Sequence, residues 1–154
     1  MDNFSILAER VIAYQIKTAW HEMEKVYNKV AAEHDASLSM GFALLTIDEE
    51  GTPVTHIAPR MGMEPNSLSR LLRSMETKGF IYRKKEAADK RKVYICLTEK
   101  GIHMREVAIK MVFRLNKMIV GEIENEKLQA FFEVIEQVKN SVATMKKQLE
   151  EKAI

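Results

Sequence analysis

Hydrophobic positions recur three and four apart over most of this chain and switch to strict alternation in one short stretch. Phe4, Leu7, Val11, Ile12, Ile16, Ala19, Met23, Val26 and Val30 keep the helical spacing, and no Gly or Pro interrupts them. The spacing predicts one helix from Phe4 to about Glu33, roughly 45 Å long. That exceeds what a small domain needs for its own core, so its ends are expected to project and find a partner. A break from His34 to Leu38 follows. Ser39 is then the expected cap of a shorter helix through Glu49, packed by Phe42, Leu45 and Ile47 and stopped by Gly51.

The C-terminal third repeats the helical pattern. Thr98 is placed to cap a helix with Glu99 in its first turn, where a negative charge suits the helix dipole. Met104, Val107, Met111, Leu115 and Met118 form its stripe, and Gly121 ends it. A last helix is predicted from about Asn125 to Lys147 or beyond. Its Leu128, Phe131, Ile135, Val138, Val142, Met145 and Leu149 make a heptad-like seam, widened by Phe132. Two long amphipathic helices at opposite ends of a small chain point to a homodimer; the alternative is that both stripes close on each other within one chain.

Between these helices lies the most informative stretch, Thr52 to Thr98. Val54, Ile57, Ala58 and Met61 give one apolar face of a short helix, with Thr52 as cap, Pro53 at its first position and Gly62 as its stop. Pro65 opens a second helix that carries Leu68, Leu71, Leu72 and Met75 on its buried side and ends at Gly79. At 100° per residue, Asn66, Arg70, Arg73 and Thr77 point the other way, flanked by Ser67, Ser69 and Ser74. Arg can hydrogen-bond guanine in bidentate fashion and Asn can do so with adenine. Any surface helix has polar residues outside and leucines inside, so this helix alone does not decide for DNA.

The next segment adds charge. Phe80 to Glu86 and Lys92 to Leu97 read as two strands, with Val93, Ile95 and Leu97 alternating with Lys92, Tyr94 and Cys96 around a polar tip, Ala87-Ala88-Asp89-Lys90-Arg91. From Arg60 to Lys92 there are ten Lys and Arg against four Asp and Glu, a local +6 in a chain of +2, leaving −4 for the rest. The positive charge therefore sits on the one element shaped to enter a groove of DNA; a solvated charge run at a hairpin tip is the plainer reading.

Asp89-Lys90-Arg91, five residues, then Leu97-Thr98 resembles the D-x-R-x5-L-T wing signature of MarR-type (multiple-antibiotic-resistance regulator) winged helix-turn-helix proteins. The stretch SLSRLLRSMETKGFIYR, Ser67 to Arg83, is similar to the recognition helix and first wing strand of that family, and the order of elements is similar over nearly the whole chain. Glu64 at the cap position, where the family often has Ser or Thr, and Asn66 just inside are departures that bear on the DNA sequence read, not on the fold. The resemblance implies a mainly α fold with a small β-hairpin wing: residues 38–98 as the winged helix-turn-helix, and 1–35 with 99–154 as long dimerisation helices. It implies a transcription regulator, in the first instance a repressor, that binds a pseudo-palindromic operator on double-stranded DNA as a homodimer. Asn66, Ser67, Ser69, Arg70 and Arg73 are the candidates for bases and nearby phosphates. Arg91 is the candidate for the minor groove, held by Asp89, with Lys90 adding charge along the backbone. A winged-helix protein-interaction module is the alternative.

Composition narrows this further. At 154 residues, 46% hydrophobic and 30% charged, the chain can form one compact domain with a real core. Its single cysteine excludes an internal disulfide, and no apolar run is long enough to span a membrane, so a cytoplasmic protein is expected. His21-Glu22 opens like HExxH, but position 25 is Lys, and His21, His34, His56 and His103 are scattered without ligand spacing. No metal, no cofactor and no enzyme is expected. Cys96 lies within a strand, away from any activating helix terminus. The peroxide-sensing branch of the resembled family uses a first-helix cysteine that is absent here. For a small-molecule effector, Tyr14, Trp20, Met23, Phe42, Met104 and Met111 are candidate lining residues, although residues of this type at helical spacing are first of all core.

Overall fold

The computed structural model describes residues 3–86 and 92–152. Among the described residues, seven helices and three short strands follow one another as α1 (Asn3–Arg10), α2 (Ile12–Glu33), α3 (Leu38–Thr46), β1 (Thr52–Pro53), α4 (Val54–Met61), α5 (Pro65–Thr77), β2 (Ile81–Lys85), β3 (Val93–Leu97), α6 (Glu99–Gly121) and α7 (Asn125–Lys152). The chain divides into two compact units, 1–112 and 113–154.

The first unit holds the core. Phe80, Leu44, Ile47, Ile57, Leu72, Met75, Ile81 and Ile95 are all but completely enclosed, so α3, α4, α5 and the sheet meet in one apolar interior. The sheet runs β1-β3-β2 and is antiparallel throughout. Ile81 faces Leu97, Tyr82 faces Cys96 and Arg83 faces Ile95 in the β2–β3 hairpin, while Thr52 faces Ile95 and Pro53 faces Tyr94 on the other edge. The winged helix-turn-helix expected from the sequence is present.

Four local expectations give way to the structure. The single helix from Phe4 to Glu33 is two, because Val11 takes an extended conformation (φ −93°, ψ 113°). A continuous helix would carry an Ile12 amide to the Ala8 carbonyl; the side-chain amide of Gln15 donates to that carbonyl instead. The break also brings Phe4 edge-on to Tyr14, ring centroids 5.9 Å apart. Next, the cap of α3 is Ser37, whose hydroxyl accepts from the Met40 amide at 3.3 Å; Ser39 lies inside the first turn. The helix stops at Thr46, short of Glu49, where Ile47 turns extended and enters the core.

Thr52 likewise does not cap α4. Strand pairing with Ile95 recruits it into β1 and buries it fully. Its hydroxyl instead accepts from the Asp48 amide at 2.8 Å and donates to Asp48 Oδ2 at 2.9 Å. Pro53 becomes the N-cap of α4 and Val54 its first residue. Gly62 ends α4 in the left-handed region (φ 61°), as its position in the sequence required.

In the second unit α7 is continuous, and it buries no residue. Phe131, Phe132, Val142, Met145 and Leu149 of its predicted seam are each more than half exposed.

Candidate nucleic-acid interface

Helix α5 is held by its inner face. Leu68, Leu72 and Met75 are buried and Leu71 is half-buried, so successive turns of the helix are pinned to the core. Amphipathic spacing therefore decides which residues look outward. Asn66, Ser67, Ser69, Arg70, Arg73 and Thr77 are all exposed, and Ser74 is half-buried at the margin. Their states differ. Ser69 donates to the Pro65 carbonyl at 2.9 Å and Thr77 to the Arg73 carbonyl at 3.0 Å, so both hydroxyl protons are committed within the helix. Arg70 and Arg73 carry no hydrogen bond or ion pair among the described residues, and the first turn of α5 has no acid. Two unengaged guanidinium groups one turn apart on an exposed face are available to phosphate or base edges.

The ends of α5 are fastened. Lys78, its C-cap, places Nζ 2.6 Å from Asp35 Oδ2 in the loop between α2 and α3. That ammonium holds the Asp35 carboxyl below its usual range. The Lys78 carbonyl accepts from Lys100 Nζ at 2.9 Å, and the Lys100 ammonium also lies 4.9 Å from the centre of the Phe80 ring. At the start, Glu64 stands in the N-cap position without a side-chain bond to the helix. The helix-turn-helix joint is braced by Arg60, whose Nη1 donates to the Thr46 carbonyl and to Asp48 Oδ2, both at 2.8 Å.

The wing begins beside α5. Tyr82, Arg83, Lys84 and Lys85 of β2 are exposed. Arg83 Nε donates to Glu76 Oε2 at 3.2 Å, tying the hairpin to the last turns of α5. Lys84 and Lys85 are without a partner among the described residues; the sequence singled them out only as part of a charge count. Asp89, Lys90 and Arg91 lie outside the described residues. The Leu97-Thr98 end of the wing signature has a structural role here. Thr98 Oγ1 donates to the Gly79 carbonyl at 2.6 Å and accepts the Gly101 amide at 3.0 Å, so one side chain joins the start of the wing to the start of α6. The cap expected of Thr98 is present.

Cys96 is 6% exposed and sits behind Gly51, where a Cβ would come within 2.7 Å of its Sγ. It also faces Tyr82, and the thiol beside it pushes the Tyr82 phenol up. Among the described residues no group of His, Cys, Asp or Glu is placed to hold a metal ion, and no helix is long and apolar enough to cross a membrane.

Away from this face, a small apolar cavity of 50 Å³ lies among α2, α3 and the first part of α6. Phe42, Met104 and Met111 line it, together with Tyr27, His34, Leu38 and Val107. Of the other candidates for an effector site, Trp20 stacks on Phe42 with centroids 5.9 Å apart, Tyr14 packs on Phe4, and Met23 does not line the cavity. His34, the C-cap of α2, was not foreseen because a cap residue carries no periodic signal, and Tyr27, inside α2, was not among the residues singled out for this cavity.

Comparison with known proteins agrees with this geometry. The MarR family profile matches residues 39–93, from α3 to the first residue of β3. The HTH-type transcriptional regulator TtmR of Methylorubrum extorquens is 30% identical over 91 residues, covering 58% of this chain and 47% of TtmR. The HTH-type transcriptional regulator SarZ of Staphylococcus haemolyticus is 29% identical over 85 residues, covering 54% of this chain and 58% of SarZ. The matched segment thus spans about half the length of these curated relatives. Among solved structures, the MepR–DNA complex of S. aureus superposes with a TM-score of 0.80 over 86% of this chain and 99% of MepR, at 24% identity.

Proposed function

We propose that this chain, whose residues 39–93 match the MarR family profile and which is 30% identical to TtmR over 91 residues, is a DNA-binding transcription regulator of MarR type that reads a pseudo-palindromic operator as a homodimer. The observation that carries the reading is α5: an exposed face bearing two unengaged arginines, on a helix whose opposite face is locked into the core. The relatives support it, since TtmR and SarZ are named transcriptional regulators and the MepR structure is a DNA complex. In this reading α5 enters the major groove. Arg70, Asn66, Ser67 and Ser69 reach base edges or nearby phosphates, and Arg73 holds phosphate. Arg91, with Asp89 and Lys90, extends the contact to the minor groove.

Residues 38–98 form the reading part in this scheme, and the terminal helices join two copies. The uncovered seam of α7 and the absence of any buried residue in α2 support that division. Two copies also match what the mechanism needs, because paired helices read half-sites about 34 Å apart. Repression follows if the operator overlaps a promoter. Control by a small molecule would act by favouring one spacing of the two reading helices over another. The 50 Å³ cavity is far below the roughly 300–1,000 Å³ of drug-sized ligand sites. An effector there must open it, and Met104 and Met111 are pliable enough to allow that.

The test is fluorescence anisotropy of the purified protein against DNA from upstream of its own gene, beside a scrambled duplex, at several salt concentrations. Nanomolar binding with the scrambled duplex about a thousandfold weaker establishes sequence-specific reading. Absence of binding to either duplex at low salt leaves the wing as a protein-interaction edge and ends the regulator reading.

A further inference from the structure

A second feature on the reading side is a groove of 590 Å³ between the first turn of α4 and the wing strands. Its origin is topological. Strand β1 is only two residues long and pairs with β3 at Ile95 and Tyr94 alone, so the β1-side edge of Val93, and of Lys92 just before the strand, is left open beside α4. Thr55 and His56 form one wall, Arg83 and Lys92 the other, with Val93 and Tyr94 between them, and no acid among the described residues lines it.

We propose that this groove seats a stretch of the DNA phosphate backbone, with Arg83 and Lys92 as its positioning cations and His56 as a hydrogen-bonding partner; the inference rests on the DNA-reading function above. Arg83 spends only Nε on Glu76, at 3.2 Å, which leaves both Nη groups free. The ion pair aims the guanidinium and does not consume it. Lys92 lies 3.6 Å from Glu86, a loose contact on a side chain 62% exposed, so its ammonium keeps donors for a second anion. His56 is exposed and without a partner among the described residues. Glu76 belongs to α5, so the groove adjoins the helix that enters the major groove on one side and the wing on the other. A backbone passing from one to the other meets Arg83 and Lys92, each of which keeps donors beyond its contact with Glu76 or Glu86, as charge complementarity demands.

The prediction separates these residues from the base readers. In anisotropy titrations with the full chain, Lys92→Met and Arg83→Met each lower the dependence of log affinity on log salt by about 0.9, and together they weaken binding about tenfold. The loss is the same on the upstream and scrambled duplexes, so their ratio is kept, whereas Arg70→Ala lowers that ratio. His56→Gln weakens both duplexes alike. Lys146→Met, on the exposed face of α7, is the control and changes nothing. Duplexes with one neutral methylphosphonate linkage locate the contact: at the seated linkage the wild type loses affinity and the Arg83→Met/Lys92→Met protein loses no more. Lys92 is outside the core, so Lys92→Met alone carries the test if the double variant does not fold. Identical salt slopes and identical linkage scans in wild type and Lys92→Met overturn the groove while leaving the regulator reading intact. Failure of the wild type to bind any duplex overturns both, and the two failures are told apart by the wild-type titration.

Discussion

Gly101 lies against the carbonyl of Phe80 so closely that a Cβ at position 101 would stand 1.9 Å from the Phe80 oxygen. That approach lets α6 start directly beneath the wing, where Thr98 caps it. Gly101→Ala forces backbone apart and is expected to cost about 3 kcal/mol or more, read as a lower urea midpoint. Gly121→Ala meets nothing within 4 Å and is the contrast. Equal midpoints for the two variants would mean that α6 does not dock on Phe80.

Asp48 gathers Arg60, Thr52 and its own loop into one hydrogen-bonded knot. The Arg60 guanidinium, and after it the Thr52 hydroxyl, hold its carboxyl below the ordinary 3.8. A carboxyl depressed in the folded state adds stability above 3.8 and loses it as the pH falls through the lowered folded value. Thermal midpoints of the wild type and Asp48→Asn should therefore differ at neutral pH and converge in acid. A difference that persists unchanged in acid would remove this ion pair as the cause.

Asp35 reaches the far end of the reading helix through Lys78. Removing that carboxylate leaves the core untouched but frees the C-cap. Asp35→Asn is expected to speed hydrogen exchange at the amides of Lys78, Gly79 and Phe80, which bond to the Ser74, Glu76 and Met75 carbonyls. Amides of Leu72 and Met75 should keep their protection. Unchanged exchange throughout would show that the main-chain bonds alone hold this end.

On α7, Val142 and Met145 are 62% and 56% exposed. Placing Glu at both charges the middle of an apolar seam and is expected to convert a dimer to monomers in sedimentation velocity. Specific DNA affinity should fall with it, because one reading head holds only a half-site. A dimer that survives both substitutions would place the interface elsewhere.

Arg70 is the side chain on α5 with the most to lose. If it is bidentate to a guanine, Arg70→Ala costs about 1–3 kcal/mol on the operator and relaxes the preference at one base pair. A uniform loss on every sequence would assign it to phosphate.

Much of this was legible in the chain itself. The i, i+3, i+4 spacing of Leu68, Leu71, Leu72 and Met75 determined which way α5 faces, and hence that Arg70 and Arg73 look outward. Gly62 marked the turn, and alternation at Val93 to Leu97 marked the hairpin. These signals are local, set by the repeat of a helix or a strand. Tertiary structure decided what depends on neighbours distant in sequence. Thr52 reads as a cap, yet pairing with Ile95 draws it into a strand, since a buried backbone must find partners. Val11 fits a helical stripe, yet the chain breaks there and sets Phe4 against Tyr14. The groove beneath the wing exists because β1 stops after Pro53 and leaves Val93 and Lys92 without a strand neighbour on that side, a length that no periodicity records. Periodicity orients each element toward a core; only the packed core determines where an element ends and what its last residues bind.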